Sequence, residues 1–275
     1  MIRALKLEWL KIRNYRLFWI LIGMYLLALL VIASGGGLFL AWLKSEGMDF
    51  NGIDPSIIPI YDFPDIWQNI AYLGSFNKIL LAFIVIISVN NDVVYNTMRQ
   101  NVVDGISKKE FLLSKMSFIV AMAAISTLFL FIAGLVNGSV YSHVWGAEYI
   151  FDKTEFVAAY FYDILVYCTL AFVLSLIIKK AGFVIIALFL YTIMFEPIAT
   201  AIFQNAPYFR DGIMPEIVQY LPIKSLNNLI PFPFSRYVFM EIDDFVPLNA
   251  IISSTVWFGI YLFSIVYILN KRDLK

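Results

Sequence analysis

Two carboxylates stand where a bilayer would make them expensive: Asp163 and Glu196 each interrupt a long apolar run. A charge in hydrocarbon needs a partner or water, so chemistry is sought there first. The two sit at matched depth. Asp163 lies 16 residues before Lys179, and Glu196 lies 16 residues after Lys180, so each is roughly 24 Å from that turn if helical. Two readings stay open. One is a polar patch on a substrate pathway, or a carboxylate pair sharing a proton. The other is a wet outer mouth, with Asp163 close to an acidic loop and Pro197 breaking the helix beside Glu196. Asn137, Thr169 and Thr192, with Ser126 and Thr127, are polar enough to line a path. Hydroxyls on apolar helices also bond their own backbone, however.

Other chemistries lack their residues. A phosphate cradle needs Gly followed by Lys, a dipeptide that never occurs, so the chain itself is not expected to hydrolyse ATP. His143 is the single histidine and reads as an interfacial polar residue rather than a metal ligand. No G-x-S-x-G elbow occurs, and Cys168 is the single cysteine, which excludes a disulfide framework. No catalytic residue, metal site or bound cofactor is expected in this chain.

The elements that must hold these residues are membrane helices. Of the 275 residues 61% are hydrophobic and 15% charged, which places the chain in the membrane class. Six apolar runs are long enough to cross about 30 Å of hydrocarbon: 17–43, 70–89, 116–136, 156–178, 182–203 and 248–270. The expected fold is an all-α integral membrane protein with six transmembrane helices and no separate soluble domain. The first run followed by Ala33-Ser34-Gly35 has the outline of a secretory signal, but it is long and preceded by a 16-residue region containing Glu8, so an anchoring helix is expected.

Charge orients the bundle. The N-terminus, the loops after runs two and four, and the C-terminus together carry 14 Lys and Arg against 5 Asp and Glu, while the rest carries 6 against 15. The positive-inside rule then puts both termini in the cytoplasm. Residues 2–16 place Leu5, Trp9 and Ile12 on one helical face with Arg3, Lys6 and Arg13 on another flank, which predicts an amphipathic interfacial helix; a plain extension of the first span is the alternative. The proline-rich, acidic loop 44–69 should lie on the outer surface, Asn137-Gly138 should end the third helix, and 204–247 should form short outer interfacial helices.

Between runs two and three lies the stretch 92–115, which contains Asp104-Gly105 as a turn and then Ser107-Lys108-Lys109-Glu110, an S-x-x-E capping box. A helix should begin there and continue through Lys115 into the third run. On local physics alone a well-capped solvated loop is the competing reading. The stretch DVVYNTMRQNVVDGISKKEFLLSK resembles the cytoplasmic signature of permeases of type-2 ATP-binding-cassette transporters. Asp92 takes the acidic position and Thr97 the threonine; Arg99 lies in the apolar run; Gly105-Ile106-Ser107-Lys108 form the turn and cap; Lys109, Glu110 and Lys115 enter the next helix. Asn96 stands where the family has glycine, and Lys108 where it has arginine.

The resemblance implies a non-hydrolysing permease subunit of an exporter in a bacterial cytoplasmic membrane. It would be paired with a second copy or a similar permease and docked through this hairpin on a cytoplasmic ATPase that binds ATP and magnesium. Cargo is not specified by these residues. An ion-coupled carrier using Asp163 and Glu196, or a membrane assembly protein, are the competing classes.

Overall fold

The computed structural model describes residues 8–46, 59–94, 107–210, 212–234 and 244–271, which form helices and turns with no strand among them. Among the described residues, five helices are long and apolar enough to cross a membrane, and a sixth span results if one bent pair is counted together. In chain order, a short helix at 8–12 precedes α1 (Arg16–Ser45), α2 (Ile66–Ser75), α3 (Lys78–Val94), α4 (Lys108–Tyr141) and α5 (Ala147–Phe151). Then follow α6 (Glu155–Ile177), α7 (Ala181–Leu190), a π turn (Tyr191–Phe195), α8 (Glu196–Asn205), three short helices α9 (Pro207–Arg210), α10 (Met214–Val218) and α11 (Pro222–Asn227), and α12 (Leu248–Lys271).

α6 is the hub. Its sequence is apolar all round, so no face prefers water, and it packs against α2, α3, α4 and α12. Residues from Ile164 to Phe172 are buried almost without interruption. Thr169 and Ser175 donate to the carbonyls of Leu165 and Ala171 at 2.7 Å each, so their hydroxyls cost nothing in an apolar interior.

Three expectations are corrected. The second run is not one straight helix: α2 and α3 meet at 44° across Phe76 and Asn77. Gly74 weakens the helix there, the Ser75 hydroxyl bonds the Tyr72 carbonyl, and Asn77 N–H bonds the Gly74 carbonyl as a tight turn. Asn137-Gly138 does not end the third helix, which runs on to Tyr141. Gly134 and Gly138 instead let α2 and its approach close on α4. A Cβ at Gly134 would come within 2.6 Å of the Trp67 ring and 2.7 Å of Ile70, and one at Gly138 would overlap the Phe63 ring. Finally, Pro197 does not break its helix, because the π turn just before it absorbs the missing N–H and the ring.

α4 has 34 residues, about 51 Å at helical rise, against about 30 Å of hydrocarbon. Set upright, about two-fifths of it would stand outside the hydrocarbon. At the opposite end of α4, Asp62 accepts the His143 N–H at 2.9 Å, and Lys153 bridges Asp65 and Asp244 at 2.8 Å each. His143 is thus a surface loop residue.

Candidate functional site

The predicted hairpin begins and ends on described residues, while Thr97, Arg99, Gly105 and Ile106 lie outside them. At its far side the capping box is closed in both directions: the Ser107 N–H donates to Glu110 Oε2 at 2.8 Å, and the Glu110 N–H donates to Ser107 Oγ at 3.2 Å. Lys109 and Glu110 are exposed. Lys108 reaches the Asn270 carbonyl at 3.4 Å, tying the start of α4 to the end of α12.

One and a half turns on, Lys115 has turned inward. Its ammonium lies 2.6 Å from Asp92 Oδ2 and 2.8 Å from Glu8 Oε2, and it donates to Ser88 Oγ at 2.8 Å and the Ser88 carbonyl at 3.2 Å. Lys11 closes the cluster on Asp92 Oδ1 at 3.1 Å, and Ser114 donates to Glu8 Oε1 at 2.9 Å. Glu8 and Lys115 are each 1% exposed and Asp92 4%. Asp92 and Lys115 are therefore not available to touch a partner. They knot the N-terminal helix, the end of α3 and the start of α4 into one body. Trp9 and Trp19 meet edge-on, 6.0 Å apart, on the exposed side of this knot, while Ile12 is buried.

Asp163 is not at a wet mouth. It is 1% exposed and ion-paired at 2.7 Å with Lys78, whose ammonium also lies 5.3 Å over the Tyr167 ring. Lys78 is the first residue of α3, where a helix dipole disfavours a cation, and the Asp163 carboxylate offsets it. Along α6, Tyr160 stands one turn before Asp163 and bonds the hydroxyls of Tyr25 and Ser126. Tyr25 also bonds Ser126 directly.

Glu196 has a different partner. Its Oε1 accepts the Lys224 N–H at 2.6 Å, and the Ile223 N–H and the Tyr191 hydroxyl face it as well. α11 starts with Leu221 at its N-cap and no capping side chain of its own, so Glu196 serves as the cap from another element. The carboxylates thus have separate partners, each through one oxygen, and do not form a pair. The other pathway candidates are also accounted for locally. Asn137 donates to the Ala133 carbonyl at 2.8 Å and to Ser34 Oγ at 3.3 Å; Thr192 shares a 2.9 Å hydrogen bond with the Tyr167 hydroxyl.

Two central residues, Lys78 and Glu8, were not singled out from sequence. Each left a signal. Lys78 is the lone charge within the run 70–89, and Glu8 is the lone acid in a basic segment. In comparisons with known proteins, no family model and no curated relative matches the chain.

Proposed function

We propose that this chain is the membrane permease subunit of an ATP-binding-cassette exporter, forming a translocation path driven by a separate cytoplasmic ATPase. The observation that carries the reading is mechanical continuity at the basic end. A capped helix that overhangs the bilayer, α4, is locked by the buried Glu8–Lys115–Asp92 knot to α3 and to the N-terminal helix. A push on the exposed cap at Ser107–Glu110 would move that whole body, as coupling to a motor demands. In this reading the basic ends are cytoplasmic, six spans cross the bilayer, and a second copy or similar permease completes the path. Purification of the full chain in mild detergent should bring with it a second, P-loop-bearing chain. Transport by vesicles lacking any such chain, driven by a proton gradient, would overturn the reading.

One observation favours a second reading, an ion-coupled carrier. The Lys78–Asp163 pair is buried at a helix break, the kind of place where carriers bind coupling ions. Lys78→Met/Asp163→Asn abolishes gradient-driven uptake under this reading and leaves ATP-driven uptake under the first.

A further inference from the structure

A cavity of 260 Å³ lies between the N-terminal helix, α1 and α3, directly over the ionic knot. Its two ends differ in chemistry. The deep end is apolar, walled by Phe18, Leu21, Ile84 and Ile87. The mouth carries Lys11, Tyr15 and Asn91. From Asn91 back to Ile84 the slot follows α3 for about 10 Å.

The mouth offers donors. Glu8 and Asp92 also border the cavity, but their charge is matched by Lys115 and Lys11 within the knot. Lys115 is saturated by four close oxygens. Lys11, its side chain 37% exposed, is hydrogen-bonded to Asp92 and lies 3.7 Å from Glu8, and its ammonium retains hydrogen-bonding capacity beyond them. Among the described residues, neither the Tyr15 hydroxyl nor the Asn91 carboxamide has a hydrogen-bond partner. Arg13 and Arg16 follow at exposed positions, and no acidic residue occurs between Glu8 and Glu46. A donor mouth flanked by two exposed arginines, opening onto an apolar slot at the end of membrane-length helices, fits one class of molecule.

We propose that this cavity is a binding site for an anionic phospholipid, its phosphate held at Lys11, Tyr15 and Asn91 and one acyl chain lying between α1 and α3. The site needs only that these helix ends lie at a membrane surface; it does not rest on the transport reading. A zwitterionic choline lipid fits less well, because its quaternary ammonium meets Lys11 and the arginines.

The test uses the purified full chain in mild detergent and native mass spectrometry, with phosphatidylglycerol, phosphatidylcholine and inorganic phosphate as probes. The expected result is one retained phosphatidylglycerol per chain, preferred over phosphatidylcholine by about tenfold. Ile87→Trp, which fills the slot, should lower retention by about tenfold. Tyr15→Phe/Asn91→Leu leaves the salt bridges in place and should lower it too, which covers the case that Ile87→Trp does not fold. Lys11→Gln should reduce the preference for the anionic lipid severalfold. Equal retention by wild type and these variants, no retained lipid, or displacement by inorganic phosphate at equal concentration would each overturn the proposal.

Discussion

Replacing Lys115 by methionine keeps its length and apolar stem but removes the charge that holds Glu8 and Asp92 together. Lys115 is 1% exposed, with two carboxylate oxygens at 2.8 and 2.6 Å. Its loss leaves two buried anions without their buried cation; among the described residues Lys11, whose side chain is 37% exposed, and the hydroxyl donors still face them. Breaking a buried pair by removing one partner costs about 3–5 kcal/mol. For a chain of this size that lowers the unfolding midpoint by roughly 6–15 °C. The readout is thermal unfolding in detergent, followed by helix content and by the fluorescence of Trp9 and Trp19, whose rings meet beside the knot. The triple variant Glu8→Gln/Asp92→Asn/Lys115→Met removes both stranded charges and should recover more than half of the loss. A Lys115→Met protein as stable as wild type would refute the argument, as would a triple variant worse than the single one.

The same logic at the helix break predicts that Lys78→Met costs more stability than Lys78→Met/Asp163→Asn, measured by the same melts. Glu196→Gln weakens the cap on α11 and should cost about 1–2 kcal/mol, seen as faster proteolysis near Pro222–Asn227 without loss of the spans. Gly138→Leu forces a side chain into the Phe63 ring and should lower the melting midpoint, whereas Gly182→Ala, at a site with open space, should not. Burial alone would pull the Lys153 ammonium down, but hydrogen bonds and charge from Asp244 and Asp65 outweigh it and raise its pKa above the usual lysine value. Its contribution is therefore fully present below about pH 10.4 and lost as pH rises through the raised folded value. The melting difference between wild type and Lys153→Met should be constant from pH 7 to about pH 9 and shrink above about pH 10.4.

Sequence was most informative where one physical rule acts alone. Length and apolarity placed α6 and α12 within a residue or two of their observed ends, and the Ser107-to-Glu110 spacing located a cap that needs only local backbone. It was least informative where tertiary partners decide. Nothing local says that Gly138 lies inside a helix and makes room for the ring of Phe63, which is far away in sequence. Pro197 looked like a break because the π turn that accommodates it is not visible in a periodicity. Asp163 and Glu196 were rightly marked as needing partners, but the partners, Lys78 and the backbone of α11, come from other elements. The knot has the same lesson: Asp92 and Lys115 were singled out through a family resemblance, while the structure buries them against each other, with Glu8 as the second carboxylate on Lys115.

The central claim is that this chain is the membrane half of an ATP-driven machine gripped at its basic end. The most direct test is ATP-dependent transport by the full chain purified from its own membranes and reconstituted with whatever co-purifies. The account predicts a P-loop-bearing partner in near-equal amount and ATP turnover that Gly105→Pro/Glu110→Ala disconnects from transport. A chain that purifies without such a partner and transports on a proton gradient alone would contradict it.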